Sequence, residues 1–292
     1  MEASRSRPVV IIPAITLALL AILGVYKLWV YLDEHAPTVA MALAGGLVAA
    51  GATAAGTLPI LSMHTLSTRV QDALLGFGAG VMLAASAFSL AIPGLQAAAQ
   101  QGYGPWSAGA IIGAAILLGG GVLLLIDQTL PHEHFIKGRE GIESMRLRRT
   151  WLFVFAIALH NIPEGLAIGV GYAGTDPVRA TALATGIAIQ DIPEGLVVAV
   201  ALLSVGYSRA FSMTLGMASG LVEPIAAVLG AVIVGWSATL LPWGLGFAAG
   251  AMLFVVSHEI IPESHRKGHE AYATCGLLIG FVLMMILDTT LG

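Results

Sequence analysis

Apolar residues run in long stretches along this chain, and polar residues gather in the short connections between them. Nine stretches are long enough to span a membrane: 8–32, 37–63, 73–99, 107–130, 150–172, 179–204, 210–236, 240–262 and 271–291. A helix needs roughly 20 residues to cross a hydrocarbon core, and helical segments satisfy their own backbone groups there. The pattern therefore predicts an all-α polytopic membrane protein. The first stretch follows Arg5 and Arg7, as the apolar region of a signal peptide would. Its length of about 25 residues exceeds the roughly 7–15 that signal peptides use. It reads as a retained extra helix, residues 1–36, ahead of a core at 37–292. Lys27 lies near enough to its end to snorkel.

Charge then orients the spans. With the N-terminus in the cytoplasm, Arg5, Arg7, Arg69, Lys137, Arg139, Arg146, Arg148, Arg149, Arg209, Arg266 and Lys267 all fall inside, while Arg179 alone falls outside. That asymmetry is the positive-inside pattern. It favours nine spans over eight, because dropping the first would move Arg5 and Arg7 outside. The C-terminus is then expected to be extracytoplasmic, in an inner or plasma membrane.

Composition agrees with the pattern. The chain is 57% hydrophobic and 10% charged, against about 25% charged for soluble domains. Its net charge of −4 matters less than the distribution, and no nucleic-acid partner is indicated; the expected surroundings are a lipid bilayer. A single cysteine, Cys275, excludes an intrachain disulfide framework or thiolate cluster. The 36 glycines sit mostly among Ala and Ser inside the spans, where small residues let helix backbones approach closely.

An internal repeat is present. Gly76-Phe77-Gly78-Ala79-Gly80-Val81-Met82-Leu83 matches Gly246-Phe247-Ala248-Ala249-Gly250-Ala251-Met252-Leu253 at six of eight positions, and Gly46-Leu47-Val48 recurs as Gly220-Leu221-Val222. The matched helices are five spans apart and so run in opposite directions, the mark of an inverted repeat. The core divides as three plus two plus three: a first repeat at 37–130, an inner loop at 131–149, two central helices at 150–204, and a second repeat at 210–292.

The two central helices carry closely matching hexapeptides, His160-Asn161-Ile162-Pro163-Glu164-Gly165 and Gln190-Asp191-Ile192-Pro193-Glu194-Gly195. Positions i, i+3 and i+4 share a helix face, so His160, Asn161 and Glu164 converge, as do Gln190, Asp191 and Glu194. A short loop makes the two helices antiparallel neighbours with their polar faces at one depth. Pro163 and Pro193 each lack an N–H and free the carbonyl four residues earlier, here Leu159 and Ile189. Glu223, followed by Pro224, lies in the middle of the next span. Four central carboxylates would cost roughly 10–14 kcal/mol at about 2.5–3.5 each. A divalent cation offsets that cost; protonation without metal is the alternative. A mixed imidazole, carboxylate and amide set suits Zn²⁺ and its neighbours, and shared carboxylates could bridge two ions. Met82, on residue type alone, is more often core filler than ligand.

A second tier of polar residues lies toward the cytoplasmic ends: Asp127, His132, Glu133 and His134, then His258, Glu259, Glu263, His265 and His269. They form either an exit path or solvated flanks. His258-Glu259 does not begin an H-E-x-x-H metalloprotease motif, because Pro262 stands where the second His is needed.

On these motifs the chain resembles the ZIP family of metal transporters (zinc-regulated, iron-regulated transporter-like proteins), in its bacterial form, over about 37–291. The resemblance implies a binuclear centre. His160, Glu164, Gln190, Asp191, Glu194 and Met82 match the positions around a first metal. Asn161, Glu164, Asp191, Glu194 and Glu223 match those around a second. It also implies a release path through His258 and Glu259, a cytosolic loop of which 132–134 is a His-poor version, import toward the cytoplasm and an elevator-like movement. Many members carry His where Gln190 stands. The expected substrate is Zn²⁺, with Cd²⁺ as a surrogate and Fe²⁺ or Mn²⁺ as further candidates; a homodimer is compatible. The competing reading from another class is an intramembrane metal-dependent hydrolase.

Overall fold

The computed structural model describes residues 11–63, 66–129, 142–174 and 176–291, and every regular element among them is a helix. Among the described residues, eight helical stretches are long and apolar enough to cross a membrane: Pro37–Leu61, Thr68–Gln100, Pro105–Gln128, Phe153–Gly174, Pro177–Ser204, Arg209–Gly235, Ala238–His265 and Glu270–Thr290. They coincide with the eight core spans expected from hydropathy, so the chain is a multi-pass all-α membrane protein. The extra first helix, α1 (Ile11–His35), packs mainly on the next helix. Its described side chains, from Leu23 onward, are mostly exposed. The inner-loop residues His132, Glu133 and His134 lie outside the described residues.

The core elements are α2 (Pro37–Gly56), α3 (Thr68–Ala84), α4 (Ile92–Gln100), α5 (Pro105–Thr129), α6 (Ile142–Gly174), α7 (Pro177–Ser204), α8 (Arg209–Ser219), α9 (Val222–Gly235), α10 (Leu241–Val255), α11 (Ile261–His265) and α12 (Glu270–Leu291). Local sequence sets their starts. Ser67, Asp176 and Ser208 accept hydrogen bonds from the N–H groups of Val70, Val178 and Phe211, satisfying donors that a helix start leaves free. Pro37 and Pro177 occupy first turns, where a missing N–H costs nothing.

Two spans are interrupted by wide π-helical turns, Ala85–Ala91 between α3 and α4 and Val256–Ile260 between α10 and α11. An Ile-Pro pair follows each, Ile92-Pro93 and Ile261-Pro262. The proline rings crowd the preceding turn and remove a donor, and one extra residue per turn accommodates both effects. Ser86 and Ser257 donate to the carbonyls of Met82 and Leu253, each 2.7 Å away, at the two approaches.

The spans associate in two bundles. α2 packs on α7 and on α9, α6 on α9 and on α7; separately, α3 packs on α12 and α5 on α10. Exchanging α2 with α8–α9, α3–α4 with α10–α11, α5 with α12 and α6 with α7 maps each of these pairings onto another or onto itself, as an inverted repeat requires. Glycines explain the closeness of the pairs. A side chain at Gly80 would overlap the Leu277 carbonyl, and one at Gly250, its repeat match, the Ile116 carbonyl. Gly46 lies against the Pro224 backbone and Gly220 against Ala50 and Thr53. Backbone-to-backbone contacts of this kind occur within a bundle. Across the seam between bundles, Gly174 meets Leu241, Gly186 meets Met284, and Gly244 meets Val170 and Val234, all through side chains.

Candidate metal centre

Glu164, Asp191 and Glu194 are buried, and each offers one carboxylate oxygen to a cluster whose atoms lie within 4.8 Å of one another. The hexapeptides bring this about as their spacing implies. Both prolines lie inside continuous helices, Pro163 in α6 and Pro193 in α7. Both motif glycines are points of closest approach. Gly165 sits on Glu223 and Ala226 of α9, and Gly195 on the Thr53 backbone of α2. Each glycine thus presses a neighbouring helix against the turn that carries its own Glu.

Glu223 is wholly buried, and its carboxyl faces Asp191. The sequence places it in the middle of one unbroken span, but the structure breaks that span between α8 and α9. The Glu223 N–H bonds the Gly220 carbonyl, leaving Ser219's carbonyl to accept from Asn161 Nδ2 at 2.8 Å. Glu223 therefore stands in the first turn of α9, where the positive end of the helix dipole favours a carboxylate. Discontinuous helices with polar partners are tolerated at this depth only where protein or a cavity receives them.

The amides are oriented by the same network. Asn161 spends its donor on Ser219, so Oδ1 is its remaining polar atom; Gln190 Nε2 donates to Glu164 Oε1, leaving its own Oε1. Buried acceptors without a donor include Asn161 Oδ1, Glu164 Oε2, Gln190 Oε1, both oxygens of Asp191, Glu194 Oε1 and Glu223 Oε2. An unpaired buried acceptor costs roughly 1–3 kcal/mol, more when charged. So many at one point, from three helices, could hold a cation, which would offset that cost. Met82 is fully buried on α3. It lies one turn beyond Gly78, whose missing side chain would stand 3.6 Å from Glu194 Oε1, so Met82 shares the α3 face turned toward the cluster.

His160 is buried in the same hexapeptide as Asn161 and Glu164. Its Nε2 lies 2.8 Å from Glu259 Oε2 of the wide turn after α10, while Nδ1 has no partner. His258 is half exposed, stacks on Phe254 and lies 3.6 Å from Asp127 of α5. A cavity of about 360 Å³ is lined by Asp127, Phe155, His160, His258, Glu259 and Glu263 among others. Glu259 is therefore bonded to the histidine of the first hexapeptide, and His258 and Glu259 line one cavity with it. This cavity opens at the end of the molecule that bears Arg266 and Lys267, where Asp72, buried, holds His269 at 2.9 Å. At the other end, Arg179 donates to Gln96 and Gln101 to the Ala238 carbonyl. A cavity of about 470 Å³ there is lined by neither His160 nor any carboxylate of the cluster.

Sequence reading missed Thr53, Ser219 and Gly78. Thr53 is the sole polar side chain in α2 beyond its first turn, and that isolation in an Ala/Gly helix was the available signal.

Fold and site together define a polytopic helical membrane protein with a buried acidic cluster between its two central helices. The profile described as ZIP Zinc transporter matches residues 132–288. The chain is 50% identical over 260 residues to zinc transporter ZIPB of Bordetella bronchiseptica, covering 89% of this chain and 84% of that one. It is 45% identical over 250 residues to zinc transporter GufA of Myxococcus xanthus, covering 86% and 98%. Human zinc transporter ZIP11 is 32% identical over 336 residues, covering 87% and 98%. The chain belongs to the ZIP family. That is a family of transporters, not enzymes, which sets the hydrolase reading aside.

Proposed function

We propose that this protein carries Zn²⁺, and with it Cd²⁺, Fe²⁺ or Mn²⁺, into the cytoplasm through a binuclear site between α6, α7 and α9. The reading is carried by one observation: buried carboxylate and amide oxygens from three helices converge without donors. The first ion would take His160, Glu164, Gln190, Asp191, Glu194 and Met82; the second, Asn161, Glu164, Asp191, Glu194 and Glu223. Imidazole and thioether on the first favour Zn²⁺, while the second is held by oxygen ligands alone.

Direction is supported by charge. The cavity beside His160 opens toward the basic end, which the positive-inside rule assigns to the cytoplasm. His160, turned to Glu259, is placed to pass an ion from the centre to the Glu259, His258 and Asp127 group. Alternating access by relative movement of the bundles is supported by their packing: backbones interlock within each bundle, whereas side chains meet across the seam.

The test is uptake of Zn²⁺ or Cd²⁺ by the full chain in liposomes. Glu194→Ala and His160→Ala each abolish most of it. Uptake unchanged in both variants refutes the site assignment.

A further inference from the structure

We infer that Thr53 is a positioning residue that sets the site's ion preference by holding Glu223 to coordination through one oxygen. The inference rests on the proposed use of Glu223 as a ligand. Thr53 is buried, and its Oγ1 lies 3.2 Å from Glu223 Oε1 and 3.3 Å from its own Ala49 carbonyl. The hydroxyl has one proton to give. A carboxylate is a stronger acceptor than a carbonyl that already serves a helix, so the proton goes to Glu223. One of the two lone-pair positions of Glu223 Oε1 is thereby taken, and Oε2, which has no partner, is the more open atom for coordination.

Thr53 is held where it is from two sides. Gly195 of the second hexapeptide lies on its backbone, and a side chain at Gly220 would come within 2.9 Å of its Cβ and Oγ1. The hydroxyl therefore stays on Oε1 when an ion arrives. Zn²⁺ is satisfied by about four ligands at about 2.0–2.2 Å from oxygen, and one oxygen from Glu223 is sufficient. Ions that prefer about six oxygens, such as Mn²⁺, gain from a second oxygen of the same carboxylate, and the Thr53 hydroxyl both draws on that oxygen's charge and crowds its approach. Thr53 selects against them without touching the ion.

The experiment measures Zn²⁺ and Mn²⁺ affinities of the purified full-length protein by calorimetry, together with its thermal midpoint. Thr53→Val keeps the shape and removes the hydroxyl; the Zn²⁺-to-Mn²⁺ affinity ratio falls about tenfold, just under what one hydrogen bond to a charged group contributes. Thr53→Ser restores the hydroxyl and holds the ratio at the wild-type value, although it packs less well. If Thr53→Val does not fold, Thr53→Ala is compared with Thr53→Ser, which differ by the hydroxyl, and the same tenfold gap is expected. An unchanged ratio in Thr53→Val, or equal ratios in the Ala and Ser variants, overturns the inference and leaves the site standing. A wild-type protein that binds neither ion overturns the site itself.

Discussion

Gly195 is part of a motif otherwise made of ligand candidates, yet its role is one of space, and that can be measured. A Cβ at 195 would stand 2.9 Å from the Thr53 carbonyl carbon, with the oxygen closer still, where ordinary contact begins at 3.4 Å. α7 and α2 must then part by about an ångström. Overpacking of this kind costs about 1–3 kcal/mol, offset by the roughly 1 kcal/mol that alanine gains over glycine in a helix. Gly51, also inside α2, has nothing within 4 Å of the added atom. Gly51→Ala therefore takes the helix gain alone. The two variants should differ in stability by about 1–3 kcal/mol, read as a lower thermal midpoint for Gly195→Ala in one detergent. Because Gly195 adjoins Glu194 and bears on the residue bonded to Glu223, its Zn²⁺ affinity should also fall about tenfold, a conservative figure for misplacements of this size. Gly195→Ala and Gly51→Ala with equal midpoints and equal affinities would refute the packing argument.

Other outcomes follow from the same contacts. Gln190→His exchanges an amide oxygen for an imidazole beside Glu164 and should raise the preference for Zn²⁺ over Mn²⁺ several-fold, measured by competition; an unchanged order of preference removes Gln190 from the ligand set. Asn161→Leu takes the donor from the Ser219 carbonyl at the α8–α9 break. It should cost about 1–3 kcal/mol through an unsatisfied buried acceptor, seen as a lower thermal midpoint even in chelator. A midpoint equal to wild type would show that water or backbone replaces the amide.

Hydropathy alone located the eight core spans, because a membrane span is a one-dimensional signal: length and the exclusion of charge. The twin motifs were equally legible, since proline and glutamate at fixed spacing fix a helix face. What escaped was whatever depends on a contact between distant parts of the chain. His160 and Glu259 are 99 positions apart, and periodicity says which face a histidine occupies, not which way its ring turns. The break before Glu223 needed Asn161 to supply a donor from another helix. The wide turns at 85–91 and 256–260 read as ordinary helix, the second with a polar Ser-His-Glu run inside it, until the following proline is given its steric weight. Thr53 was passed over because a threonine in a helix ordinarily bonds its own backbone, and only the arrival of α9 gives it a second acceptor.

The paired wide turns bear on direction. Each half of the molecule carries one, nearer opposite ends of the protein, with the same Ile-Pro pair behind it. The turn near the basic end presents adjacent His258 and Glu259 to two different helices, α5 and α6. Its counterpart presents Ser89, bonded to Asp288 of α12. Chain geometry thus supplies two similar thresholds and leaves it to a handful of side chains to make one unlike the other. On the proposed reading of import, inward and outward are written in the residues rather than in the scaffold, and substitutions at the two turns are where a preference for one direction would be gained or lost.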